Sequence, residues 1–172
     1  QTLYSFTSIG TLTSLGTIPG NGKCWFEAIG SNVLVIRSGR VWVWNGTTLT
    51  EVTDADLETP NAAAHINNQI IYDGDDGRFC SADVGDASSI NGLNYATAEA
   101  KADDLLVPFV FKQYVYLFGD LTIETWWNSG SGSPPFDRVE GGIISIGLKA
   151  IHSVASNKDS MYFLGSDFRI YQ

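Results

Sequence analysis

Of the 172 residues, 44% are hydrophobic and 17% charged, a balance that suits one folded domain with a sizeable core. Ten basic against nineteen acidic residues give a formal net charge of −9, which repels phosphate backbones and speaks against tight nucleic-acid binding. No apolar run approaches the roughly 20 residues of a membrane-spanning helix, and no basic-then-apolar signal segment opens the chain, so no membrane association is expected.

The chain opens on "QTLYSF" without a Met, as a trimmed piece of a longer polypeptide would. Apolar residues alternate or come in short bursts between Gly, Asn and Asp clusters, so the fold is expected to be all-β. Residues 1–20 read as an incomplete N-terminal strand pair. A unit of about 40 residues then repeats four times, near 23–58, 61–98, 104–141 and 147–172. Each copy contains a hairpin: "SNVLVIRSGRVWVWNG" from Ser31, "NNQIIYDGDDGRFCSAD" from Asn67, "KQYVYLFGDLTIETWWNSG" from Lys112 and "NKDSMYFLGSDFRIYQ" from Asn157. Ser38-Gly39, Asp76-Gly77, Gly119-Asp120 and Gly165-Ser166 supply the reversals.

A short apolar segment precedes each hairpin and a further strand-like one follows the first three. Three to four antiparallel strands per repeat predict a β-propeller, or a fragment of one, with about four blades. Val41 and Val43 alternate with Trp42 and Trp44, as they must if both faces of that strand are covered by neighbouring blades. One stretch, "YATAEAKADDLL" from Tyr95, has the composition of a helical turn or two. The fourth copy stops inside its second strand. Either the N-terminal segment supplies what is missing or, the preferred reading, the chain is part of a larger propeller.

Candidate sites are few. Asp73, Asp75 and Asp76 in "YDGDDGRF" stand close together like the start of a calcium loop, but Gly77 and the missing bidentate Glu leave an Asp-Gly turn as the better reading. "SADVGDAS" from Ser81 is a partial S-x-D-x-G box of the kind found in glycosidase propellers, with Ser88 where its aromatic would stand; nothing pairs Glu51, Glu99, Glu124 or Glu140 across a cleft. His65 and His152 lack companions at metal-ligand spacing, and the two cysteines, Cys24 and Cys80, lack any C-x-x-C spacing and are expected as buried free thiols. No cofactor is expected. The tryptophans are expected to pack between blades. In "WWNSGSGSPPFDRVEGG" the loop from Asn128 is read as a joint first and a docking arm second, with Asn128, Ser129, Ser131, Pro134, Pro135, Phe136 and Arg138 as its contact residues and Phe136 pinning the re-entry into a strand.

From Asp76 to Gly165 the segments "DGRFCSADVGDASSINGLNYATAEA", "VYLFGDLTIETWWNSG", "PPFDRVEGGIISIG" and "HSVASNKDSMYFLGSD" resemble, in order and spacing, the phage packaged-DNA stabilisation proteins, tail-hub or head-closure components of short-tailed phages. Ile90 and Leu148 stand where a Trp and a Cys are expected, and the first 70 residues carry little of the likeness. The resemblance implies a structural protein of the virion, assembled in the host bacterial cytoplasm and not an enzyme. It also implies a homo-oligomeric ring beneath the portal whose partners are portal or adaptor and tail needle or spike proteins. The alternatives are a carbohydrate-binding propeller, lectin-like or receptor-binding, and, further off, a propeller glycoside hydrolase.

Overall fold

The computed structural model describes residues 1–98 and 103–172. They form an all-β structure, with antiparallel sheets in a four-blade propeller arrangement and a single 3-10 turn, Ile151–Ser153. The N-terminal strands β1 (Thr2–Phe6) and β2 (Leu12–Thr17) pair only with each other. Three four-stranded sheets follow. The first is β3 (Trp25–Ile29), β4 (Asn32–Arg37), β5 (Arg40–Trp44) and β6 (Leu49–Glu51). The second is β7 (Ala63–Ile66), β8 (Gln69–Asp73), β9 (Arg78–Asp83) and β10 (Asp86–Thr97), and the third is β11 (Leu105–Phe111), β12 (Tyr114–Gly119), β13 (Ile123–Asn128) and β14 (Phe136–Ile144). The last sheet has three strands, β15 (Ala155–Ser156), β16 (Met161–Leu164) and β17 (Ile170–Tyr171). Strands follow one another across every sheet in chain order, and the first strands β3, β7 and β11 lie beside one another from sheet to sheet.

Turn chemistry sets the hairpins. Ser38 and Gly39 both adopt positive φ, 51° and 72°, as do Asn67 and Asn68 at 48° and 60°. Two such residues in succession make the reversal whose twist matches the flanking strands.

Stacking explains why successive residues of one strand are apolar. In β4, Leu34 and Ile36 meet Ala63, Ile70, Tyr72 and Cys80 of the second sheet, while Val35, between them, packs with Trp42, Leu49 and Ile18 on the opposite face. In the second sheet Tyr72 looks back to the first, and Ile71 and Phe79 look forward to Val115, Leu117 and Phe136 of the third. Phe118 and Ile123 continue the series toward Leu148 and Phe163. Side chains alternate between faces along a strand, so a sheet covered on both sides reads as an unbroken apolar run.

The helical turn expected at Tyr95 does not form: Tyr95, Ala96 and Thr97 are the end of β10, paired with Cys80, Phe79 and Arg78. Tertiary pairing and the Tyr95 hydroxyl, which donates to the Asp56 carbonyl, outweigh a local preference of a few tenths of a kcal/mol per residue. The rest of that expectation, at 99–102, lies outside the described residues.

Acidic side chains organise the junctions between sheets. Asp73 accepts hydrogen bonds from the amides of Asn61 and Ala62 at 2.9 and 2.7 Å, Asp103 from Leu121 and Thr122 at 3.1 and 2.8 Å, and Asp54 and Asp56 from Ile90 and Gly92. These four aspartates thus hold loops by accepting from backbone amides.

Candidate interaction surface

The loop between β13 and β14 is held at both ends. Ser129 donates its amide to the Pro135 carbonyl at 3.0 Å, the Gly130 amide donates to Asn128 Oδ1 at 2.9 Å, and the Ser129 hydroxyl donates to the Ser131 carbonyl. Two further bonds tie the loop to the preceding sheet: Asn128 Nδ2 to Gln69 Oε1 at 3.1 Å and Ser133 Oγ to Asn94 Oδ1 at 2.6 Å. Pro134 is buried, Pro135 half-buried, and Ser131 exposed. Phe136 opens β14 and is buried edge-on against Phe79, which also meets Trp126 edge-on at 5.0 Å. Arg138 lies 3.7 Å from Glu124, a buried carboxylate that also accepts from Trp126 Nε1 at 3.0 Å. Every residue proposed for the contact loop is therefore in one connected region whose base is packed and whose tip, Gly130 to Ser133, faces solvent.

Beside this base is a cleft of about 510 Å³ lined by Asn67, Gln113, Tyr114, Trp127 and Asn128 together with Arg138, Val139 and Glu140 of β14. Tyr114 and Trp127 are directly opposed across β12 and β13, which puts both rings on one face of the sheet. Trp127 departs from the interblade packing expected of the tryptophans: it is 44% exposed, whereas Trp42 is buried and Trp126 sits against Phe79. The alternation of neighbouring tryptophans in β13 makes the difference, since only one can face the second sheet.

A second cavity of about 500 Å³ runs along the first strands of the sheets, lined by Trp25, Phe26 and Glu27, by His65, and by Phe109 and Val110, with His152 at its end. The sequence gives no local sign that the two histidines share it. His152 stacks on Trp25 at 5.8 Å, and His65 Nε2 is buried with no hydrogen-bond partner among the described residues. Burial pushes the Glu27 carboxyl above its ordinary value, opposed by its hydrogen bond from the Ala28 amide and by His65.

The aspartates of "YDGDDGRF" hold the protein's own atoms. Besides the Asp73 bonds, Asp75 Oδ1 accepts from Thr59 Oγ1 at 2.8 Å, and Asp76 takes a turn φ of 55°. Asp73 is buried, not solvated as its place beside a turn suggests, because the loop after β6 folds over it. Among the described residues no three His, Cys, Asp or Glu side chains are grouped to hold a metal. In "SADVGDAS", Ser81 is buried, Asp83 accepts from Ser89 Oγ at 2.7 Å and Asp86 from the amide and hydroxyl of Ser88, so the segment is occupied by its own hairpin. Glu51 pairs with Arg40 and Glu58 with Arg78. Cys24 and Cys80 are free thiols, Cys80 buried and Cys24 half-buried.

Known structures share the fold. YCF48 from Cyanidioschyzon merolae aligns with a TM-score of 0.60 and 12% identity over 98% of this chain and 65% of its own. The computationally designed Ika8 protein aligns with a TM-score of 0.58 and 16% identity over 94% of this chain, and a YCF48 structure bound to D1 peptide with a TM-score of 0.54 and 9% identity over 90%. This chain spans about half of each of the latter two, 49% and 51%. No curated protein matches the sequence. A family model does, and it takes in the first 70 residues as well as the segments in which the resemblance was read. Matching residues 1–170 under the description "Bacteriophage P22 Gp10, beta-propeller", it shows that the chain belongs to the family of phage packaged-DNA stabilisation proteins.

Proposed function

We propose that this phage structural protein is a tail-hub or head-closure subunit, linking the portal or its adaptor to the tail needle or spike and retaining the packaged genome. It works through surfaces and performs no catalysis; its place is the virion, in a homo-oligomeric ring. Family membership over residues 1–170 carries the reading. The anchored loop at Asn128–Arg138 supports it, because a contact surface whose base is already ordered loses little conformational entropy on docking. A few such loops suffice for a specific interface of about 1,600 Å². The acidic balance supports it too, since a wall that does not grip phosphate lets DNA pass.

The test is particle assembly. Particles made without the protein should lose nuclease-protected DNA, and supplying the protein should restore it, while a variant with Ser129–Ser133 replaced by glycines should bind portal complexes more weakly. Full genome retention in its absence would reject the reading.

A further inference from the structure

We propose that the cleft bounded by Asn67, Tyr114, Trp127 and Glu140 is a saccharide site that takes a neutral pyranose ring. Its aromatic wall comes first. Tyr114 and Trp127 stand side by side across β12 and β13, and among the described residues neither ring's polar tip has a hydrogen-bond partner. Flat apolar faces with a donor at the rim suit the C–H face of a pyranose, which carries polar groups around its edge.

The polar lining has the matching character. Asn67 and Gln113 come from the turns β7–β8 and β11–β12, each bringing a carboxamide that both donates and accepts. Glu140 accepts only and Arg138 donates only. Vicinal hydroxyls, each a donor and an acceptor, need such a mixture. Arg138 is balanced by Glu140 within the lining and already faces Glu124, so the cleft has no surplus positive charge to recruit a phosphate or an acidic sugar. Its one aliphatic residue, Val139, offers no apolar socket for a peptide anchor.

The floor is built in advance. Asn128 is clamped between Gln69 and the Gly130 amide, and Gln69 in turn donates to the Ala82 carbonyl at 3.2 Å. Two sheets thus hold the cleft in one shape. Its volume, about 510 Å³, falls in the range of small-ligand sites and has room for one or two rings. The proposal does not depend on the tail-hub reading, and its test separates the two.

The whole chain would be screened against neutral methyl hexopyranosides and N-acetylhexosamines, alone and as disaccharides, following tryptophan fluorescence and the indole N–H resonances. At least one should bind and perturb a single indole. Trp127→Ala should weaken that binding by at least about ten-fold, Trp127→Phe should keep most of it, and Glu140→Gln should weaken it while leaving the circular dichroism unchanged. Failure of every saccharide to bind a chain with a native spectrum would overturn the proposal, as would binding that survives both Trp127→Ala and Glu140→Gln, or a cleft that takes only peptide. Particles carrying Trp127→Ala should still retain DNA, so a loss of sugar binding leaves the head-closure reading untouched.

Discussion

Asp73 is where local reading and folded environment part most sharply. In the sequence it is one of three carboxylates around an Asp-Gly turn; in the fold it is 3% exposed and receives two backbone amides. Desolvation raises its pKa from the ordinary 3.8 to about 7, with the Ala62 and Asn61 hydrogen bonds acting in the opposite direction. The folded chain therefore keeps a proton that the unfolded chain releases near 3.8. The stability from this group is complete below that value and is lost as pH rises through about 7. Melting temperature followed against pH should fall across that window in the native chain and fall less in Asp73→Asn, whose carbonyl oxygen still accepts the amides. Asp73→Ala orphans both amides and should cost about 1–3 kcal/mol in urea unfolding at any pH. Cys80 shows the same effect of burial: desolvation pushes its thiol up to about 12, so a thiol reagent should leave it unmodified in the native protein and label it on unfolding.

Hairpins were the most legible elements, because what they need is local. Gly39, Asp76 and Gly77 take the positive φ values that their residue types accept, Ser38 joins Gly39 in the same turn, and the strands on either side follow. Gly39 is tied to its turn twice, by a φ of 72° and by Thr59, whose Cβ would lie 3.0 Å from an added methyl. Gly39→Ala should lower stability by about 1–2 kcal/mol, measured by chemical denaturation. Between the second and third sheets, Phe79 meets both Trp126 and Phe136; truncation to Ala should cost about 3–5 kcal/mol. Illegible elements were those decided by partners far along the chain. Tyr95 reads two ways, as the end of the strand-like "INGLNYAT" and as the start of a helix-prone stretch, and what decides for the strand, its pairing with Cys80 and its bond to Asp56, lies outside any local window. The loop after Asn128 reads as Gly/Ser-rich slack, yet Asn94 and Gln69 hold it; Asn128 and Gln69 are 59 residues apart.

At the scale of the molecule, each sheet is stabilised by what covers its two faces, so stability should decline toward the parts with one uncovered side. β1 and β2 are mostly exposed, with Tyr4, Phe6 and Leu12 open to solvent, whereas β8 is buried along its whole length. Native-state hydrogen exchange should therefore be fastest in β1 and β2 and slowest in β8 and the middle of β4 and β12; equal protection throughout would show a cooperativity that this layered contact pattern does not provide.

Repeat spacing, turn dipeptides and strands apolar on successive residues were enough to establish an all-β propeller and, through the segments from Asp76 to Gly165, its phage family. These features depend on neighbours a few residues apart, and so are written in order along the chain. The tertiary structure alone decided that Asp73 is buried, that Trp127 faces solvent while Trp126 does not, that His65 and His152 share a cavity, and that Asn67 and Glu140 border one cleft. Burial and convergence are properties of which faces meet when sheets stack, and no single repeat contains the neighbour that covers it.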